Sequence, residues 1–92
     1  MTQKPHYLII GLGVTGLSVA SYLIENGAQL TITDNRLDPP QLDELLARYP
    51  RPELLLGEIT IPEYITTIIL SPGLAVDDPA LAIAHARNIP II

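Results

Sequence analysis

One short segment constrains the fold of this chain more than any other, the glycine pattern GxGxxG at Gly11–Gly16. It follows the apolar run Tyr7–Ile10, which is typical of a strand buried on both faces. It precedes Val14–Asn26, where apolar side chains recur with the period of a helix. In such a turn the glycines permit a tight bend and close helix packing, and main-chain N–H groups at the helix start are free to bind an anion. The segment therefore predicts a β-α unit with an anion site at the turn.

The rest of the chain continues this alternation of strands and helices. Helices are predicted to open at Asp38-Pro39-Pro40 and at Asp78-Pro79, where the aspartate suits a cap and the proline suits the first turn. We therefore expect a single α/β domain, a Rossmann-like parallel sheet of about five strands with helices on both faces. Its further strands are predicted at Gln29–Thr33, Glu53–Leu56, Thr66–Leu70 and Ile89–Ile92.

Composition excludes several classes of function. The chain has 92 residues, a net charge of −5 and no cysteine. The acidic balance argues against nucleic acid binding, and the lack of thiols excludes a disulfide framework and a thiolate zinc site. No apolar run approaches the length of a membrane span, and the amino terminus lacks the pattern of a signal peptide. We expect a cytoplasmic protein that binds neither nucleic acid nor a membrane.

Two further loops are predicted to lie beside the glycine turn. If the first strand is central, the loops after the second and fourth strands reach the same crevice at the carboxyl ends of the strands, where ligands bind in such folds. The first loop carries Asp34, which can accept from the ribose of NAD or from the N–H of a base. It also carries Arg36, which can pair with a phosphate or stack on a base. The second loop is Ser71-Pro72-Gly73.

No pattern in the sequence indicates catalysis. His6 and His85 lack partners at the spacing of a metal or acid–base site, and Asp77-Asp78 is better explained as a helix cap than as a carboxylate pair. There is no nucleophile–base arrangement and no Walker A loop. We expect no catalytic residue, no metal and no cofactor in this domain.

Three segments together carry a resemblance to a known family. They are Ile9–Ser18, then Thr33–Arg36 followed by Asp38-Pro39-Pro40, and Leu70–Leu74. In this order and at this spacing they resemble the N-terminal domain of the Mur ligases, most closely the members that add D-glutamate, and the similarity extends over essentially the whole chain. The resemblance implies the first of three domains in an ATP-dependent, amide-forming ligase of peptidoglycan synthesis. We accordingly expect a piece of a longer, missing chain, itself non-catalytic.

The resemblance also implies roles for the substrate, the cofactors and individual residues. The first domain of the family holds the UDP part of UDP-N-acetylmuramoyl-L-alanine, while ATP and magnesium bind to the central domain. The diphosphate would meet the glycine turn, and Asp34 and Asn35 would hydrogen-bond uracil with Arg36 packing beside it. Asn35 departs from the threonine that the family pattern leads one to expect there. The implied contact residues are Gly13, Val14, Thr15, Gly16, Asp34, Asn35, Arg36, Ser71, Pro72 and Gly73.

Two other functions remain open at the level of sequence. The fingerprint and Asp34 also satisfy the rules for an NAD-binding half-domain of an oxidoreductase, although 92 residues leave little room for the second mononucleotide half. A regulatory or partner-docking module with a vestigial nucleotide site is the third hypothesis.

Overall fold

The computed structural model describes residues 4–71 and 78–92 and confirms the alternation of strands and helices in a single α/β domain. In those residues no helix combines the length and the apolarity needed to cross a membrane. In chain order the elements are β1 (His6–Ile10), α1 (Val14–Glu25), β2 (Gln29–Asp34), α2 (Leu42–Arg48), β3 (Glu53–Leu56), β4 (Thr67–Leu70) and α3 (Pro79–Ala86).

The sheet has the order β3-β2-β1-β4, and all neighbouring strands are parallel. In the middle of β1, Ile9 is in register with Ile32 of β2 on one side and Ile69 of β4 on the other. The chain therefore leaves β1 in one direction and later returns to its opposite side. This reversal creates a crevice at the carboxyl end of β1, which is where the glycine turn begins.

The part of the chain that the structure describes contributes four strands to the sheet, and the expectation of about five is corrected to that number. The predicted strand Ile89–Ile92 forms only an isolated parallel bridge, from Ile91 to Ile68 of β4. Ile92 N donates to Ile68 O at 2.9 Å, and Ile68 N donates to Pro90 O at 2.8 Å. Leu70 N also donates to Ile92 O at 3.1 Å, whereas Pro90 has no amide hydrogen and cannot donate to β4.

Helices cover both faces of the sheet, as predicted. Consecutive residues of β1 point to opposite faces, so their side chains join two different cores. Leu8 and Ile10 join a core that includes Leu81 and Ala84 of α3. Ile9 joins a second core that includes Ile32 of β2. Helices α1 and α2 complete that second core with Leu17, Ala20, Leu23 and Leu45.

The ends of α1 and α3 follow the sequence rules. Gly27, just after α1, has a φ of +74°, a left-handed conformation that favours glycine. Asp78 caps α3, since its Oδ1 accepts from Ala80 N at 2.9 Å and Pro79 occupies the first turn. Both predicted boundaries are confirmed.

The predicted start of α2 is wrong. The helix begins at Leu42, its N-cap is Gln41, and no side chain caps it. Pro39 precedes a second proline, Pro40, which disfavours helical geometry at Pro39, so the helix starts later. Within α2, Leu45 is buried, whereas Leu46 is 48% exposed.

Candidate functional site

The first glycine of the turn is required by both its conformation and its neighbours. Gly11 has a φ of +99°, and a Cβ added to it would lie 2.9 Å from Cβ of Ser71, the residue after β4. Gly11 N donates to Thr33 O at 2.8 Å, which fastens the turn to β2. A glycine here lets the loops after β1 and β4 touch.

The other two glycines differ sharply in their surroundings. A Cβ on Gly16 would lie 2.1 Å from the carbonyl oxygen of Gly11, so this glycine is needed for the helix to approach the turn. A Cβ on Gly13 would have no heavy atom of residues 4–71 or 78–92 within 4 Å. The space beside Gly13 is therefore open to a ligand, as expected for the glycine where a phosphate approaches the backbone.

The amino terminus of α1 is suited to an anion. Its N-cap is Gly13, no side chain among the described residues caps it, and its first turn contains no acidic residue. Val14 is 72% exposed and Thr15 is also exposed. The first N–H groups of a helix lack partners within the helix and carry the positive end of its dipole. By contrast, α2 has two acidic residues in its first turn and α3 has its Asp78 cap.

Asp34 is the last residue of β2, and its fully buried carboxylate lies between the glycine turn and the following loop. Its Oδ2 accepts from Leu12 N and from Arg36 Nη2, both at 2.8 Å. Its Oδ1 accepts from Arg36 N at 2.9 Å and from Arg36 Nε at 2.8 Å. One carboxylate thus binds the turn after β1 and the loop after β2.

The Asp34–Arg36 pair is ionised over the neutral pH range. Burial alone would raise the pKa of Asp34, but the hydrogen bonds from the Arg36 side chain and from the Leu12 and Arg36 amides outweigh it, so the pKa lies below its ordinary value. The hydrogen bonds that the Arg36 side chain donates to Asp34 raise the pKa of Arg36. The Arg36 side chain is 48% exposed, so a ligand can still reach it.

The predicted contact residues gather where expected, as far as the structure describes them. Gly13, Val14, Thr15 and Gly16 form the turn and the first turn of α1, and Asn35 and Arg36 are exposed just after β2. Ser71 is buried against Gly11, and its N donates to Ile10 O at 2.9 Å. The expectations for Pro72 and Gly73 lie outside the described residues.

A cleft of ≈ 350 Å³ adjoins this edge of the sheet on the side of α3. It extends from Asn35, after β2, past Gly57, after β3, to Asp78 and Ile83 of α3 and its cap. Thr33 holds the segment that follows β3 against β2. Its buried hydroxyl donates to Leu55 O at 2.8 Å and accepts from Thr60 N at 3.0 Å. Sequence reasoning missed this role; the signal was two threonines, Thr31 and Thr33, alternating on one face of an apolar strand.

A second polar cluster lies at the opposite, amino-terminal edge of the sheet. His6 Nε2 and Thr31 Oγ1 are 2.9 Å apart, and Thr31 Oγ1 donates to Glu53 Oε1 at 2.6 Å. The Tyr64 hydroxyl also donates to Glu53 Oε1. The hydrogen bonds from Thr31 and Tyr64 lower the pKa of Glu53, and the bond to Glu53 raises the pKa of Tyr64. Across residues 4–71 and 78–92, no group of three His, Asp or Glu is placed to hold a metal ion.

Comparison with known proteins identifies the family. The model of the Mur ligase MurD-like N-terminal domain matches residues 5–92. The chain is 41% identical over 83 residues to the UDP-N-acetylmuramoylalanine–D-glutamate ligase of Marinobacter nauticus, covering 88% of this chain and 19% of the relative. It is 39% identical over 85 residues to the ligase of the same name from Psychrobacter arcticus, covering 92% of this chain and 18% of the relative.

The alignment extends over the full chain in another relative. The UDP-N-acetylmuramoylalanine–D-glutamate ligase of Coxiella burnetii is 34% identical over 94 aligned positions, covering 100% of this chain and 21% of the relative. The chain thus spans about a fifth of the length of the curated relatives it matches. The expected resemblance is confirmed, and the chain belongs to the family of MurD-like N-terminal domains of the Mur ligases.

Proposed function

We propose that this domain binds the UDP part of UDP-N-acetylmuramoyl-L-alanine for a ligase that adds D-glutamate during peptidoglycan precursor synthesis. The observation that carries the proposal is the uncapped amino terminus of α1 behind the open space at Gly13. The names of the relatives support this choice of substrate, and the crevice beside β1 supports this choice of site.

The diphosphate takes the position beside Gly13. Main-chain N–H groups of Val14, Thr15 and Gly16 donate to its oxygens, and the Thr15 hydroxyl supplies a further donor. The absence of an acidic residue from the first turn of α1 avoids repulsion of the ligand. The net charge of −5 does not oppose binding at this place, because helix-terminal N–H groups act over a few ångströms.

The uracil base takes the position beside the loop after β2. Arg36 supplies a guanidinium plane held by Nε and Nη2, and Asn35 supplies both a donor and an acceptor. Ser71, the residue after β4, lies against Gly11 on the other side of the crevice. Contacts from Pro72 and Gly73, which lie outside the described residues, stay predictions from the family resemblance.

The NAD-binding alternative is disfavoured by Asp34. That reading needs the carboxylate to accept from the ribose hydroxyls. The side chain is fully buried, and both oxygens already accept from Leu12 and Arg36. A ribose has no access to it in this arrangement.

The bond-forming chemistry belongs to the proposed longer protein. In it, a carboxylate oxygen of the substrate attacks the γ-phosphorus of ATP and ADP leaves, with magnesium and a P-loop supplied by the central domain. The amine of D-glutamate then attacks the acyl carbon, and phosphate leaves. The present domain is a non-catalytic holder of the substrate's nucleotide, and it acts in the cytoplasm, where ATP is available.

Titration of this chain with UDP, followed by amide resonances, tests the proposal. We expect saturable shifts at Val14, Thr15, Gly16 and Arg36, and tighter binding of UDP-N-acetylmuramoyl-L-alanine or UDP than of NADH. Unmoved resonances at millimolar UDP, or preferential binding of NADH, would contradict it.

A pair of valine substitutions on α1 makes the titration specific. Gly13→Val fills the open space and should abolish binding of UDP. Ser18→Val introduces the same side chain at an exposed position beyond the first turn of α1 and should leave binding unchanged. If the two variants bound UDP with equal affinity, the diphosphate would not lie at the glycine turn.

A further inference from the structure

A second cleft, of ≈ 410 Å³, lies at the amino-terminal edge of the sheet, where the first residues of β1, β2 and β3 line it. Its apolar wall consists of Ile24 near the end of α1, Ala28 and Leu30 around the start of β2, and Tyr49 after α2. Clefts that hold small molecules measure about 300–1,000 Å³ and have mostly apolar walls. The size and the lining are therefore those of a small-molecule site.

The fold holds the apolar wall of this cleft in place. Ala28, Leu30 and Tyr49 are half-buried and pack against the core beneath α1 and α2. The Tyr49 hydroxyl also donates to Glu25 Oε1 at 3.4 Å, which joins the end of α2 to the end of α1. The cleft is thus formed before a ligand enters it, and binding requires little ordering of the wall.

Two side chains of opposite charge, Arg51 and Glu53, also line the cleft. Glu53 Oε1 accepts from the hydroxyls of Thr31 and Tyr64, which fixes the carboxylate and leaves Oε2 without a donor among the described residues. Arg51 and Glu53 do not pair with each other, since both ion pairs in residues 4–71 and 78–92 lie elsewhere. A cation and an anion are therefore both available to a ligand at one end of an apolar cleft.

The backbone of Arg51 is strained. Its φ is +58°, a left-handed conformation that non-glycine residues rarely adopt. Arg51 stands between Pro50 and Pro52, whose rings restrict the chain on both sides. Glycine would adopt this conformation at less cost, so the arginine side chain is present here despite the strain. Strained residues of this kind concentrate at sites that bind ligands.

We propose that this cleft binds a free amino acid with an apolar side chain. The apolar side chain contacts Leu30 and Tyr49, the carboxylate pairs with Arg51, and the ammonium group donates to Glu53 Oε2. A ligand with a single charge would leave either Arg51 or Glu53 without a partner, and a ligand without an apolar part would leave the wall uncovered. The cleft lies at the opposite edge of the sheet from the glycine turn, so this proposal is independent of nucleotide binding.

Titration of the unaltered chain with L-phenylalanine, followed by amide resonances, tests the proposal. We expect saturable shifts at Ala28, Leu30, Arg51 and Glu53 at millimolar concentration. Three further probes each lack one part of the ligand: phenethylamine lacks the carboxylate, phenylpropionate lacks the ammonium group, and glycine lacks the apolar side chain. Each should bind about tenfold more weakly than L-phenylalanine. Unmoved resonances with L-phenylalanine, or equal binding of any of the three probes, would overturn the proposal.

Substitutions of Arg51 test the charge without altering the core, because the residue is exposed. Arg51→Gln should weaken binding of L-phenylalanine by about tenfold, whereas Arg51→Lys keeps the charge and should retain most of the affinity. Arg48→Gln removes an exposed arginine outside the cleft and serves as the matched control, with unchanged affinity. If Arg51→Gln binds L-phenylalanine as tightly as Arg48→Gln does, the guanidinium does not hold the carboxylate and the proposal fails.

Discussion

The three glycines of the turn place different demands on the chain. Gly11 needs its left-handed φ and its contact with Ser71, and Gly16 needs to be small because the carbonyl of Gly11 approaches it closely. Gly13 has neither constraint, since its φ is −98° and no atom of the described residues lies near a Cβ built on it. Two of the glycines thus serve the fold, and the third leaves room for the proposed ligand.

Alanine at two of these positions should therefore lower the stability by very different amounts. Gly16→Ala places a methyl group 2.1 Å from a backbone oxygen and should lower the free energy of unfolding by about 3 kcal/mol or more. Gly13→Ala should lower it by less than about 1 kcal/mol. Urea denaturation of both variants measures the difference. Similar losses would mean that the helix does not pack on the turn in this way.

Glu53 should make the stability of the domain depend on acid pH. The hydrogen bonds from Thr31 and Tyr64 lower its pKa in the folded state from the ordinary 4.5. The folded state thus favours the ionised form, so this contribution is present above pH 4.5 and is lost as the pH falls through the lowered pKa.

The glutamine variant isolates this contribution. We expect Glu53→Gln to lower the urea midpoint at neutral pH and to show a shallower decline in acid than the unaltered chain. Glu63→Gln, at an exposed glutamate outside these hydrogen bonds, serves as the control. Parallel pH profiles for the unaltered chain and Glu53→Gln would contradict the assignment.

Sequence reasoning located Asp34 correctly at the end of a strand beside the glycine turn, because strand period and loop position are local properties. It left two partners open, a ribose or a base, and did not anticipate a third arrangement. The acceptors of Asp34 are taken by Leu12 N, which is 22 residues away in sequence, and by Arg36. A main-chain donor that only the tertiary structure brings close cannot be recognised from a sequence pattern.

At the scale of elements, the same local signal had two outcomes. Asp78-Pro79 caps α3, whereas Asp38-Pro39-Pro40 does not cap α2. The second proline explains the difference, because it restricts Pro39 and delays the helix to Leu42. An aspartate before a proline therefore predicts a helix start only when that proline is not followed by a second one.

The two aspartates therefore form a natural pair of variants. Asp78→Ala removes the acceptor of the Ala80 amide and should cost about 1 kcal/mol of unfolding free energy. Asp38→Ala should cost almost nothing, since α2 has no side-chain cap. Asp78→Ser should restore most of the loss. A comparable loss from Asp38→Ala in urea denaturation would show that it stabilises α2 by other means.

At the scale of the whole molecule, alternation of elements was enough to predict a parallel sheet, two covered faces and the crevice beside β1. These follow from the handedness of crossover connections and from burial, both of which are visible in apolar periodicity. The number of strands did not follow in the same way. Ile89–Ile92 has the apolar character of a strand and forms hydrogen bonds with Ile68 and Leu70, but Pro90 cannot donate to β4, and the segment forms only an isolated bridge.

Binding at that crevice should stabilise the entire domain. The proposed ligand contacts residues at the ends of β1 and β2, which are formed together only in the folded sheet, so it binds the folded state alone. At a UDP concentration of about 100 times its dissociation constant, the free energy of unfolding should rise by about 2.7 kcal/mol. Urea denaturation with and without UDP measures this increase, and Gly13→Val should abolish it while keeping its own fold. An increase that survives in Gly13→Val would place the nucleotide elsewhere, because the stabilisation would then not need the space beside the second glycine.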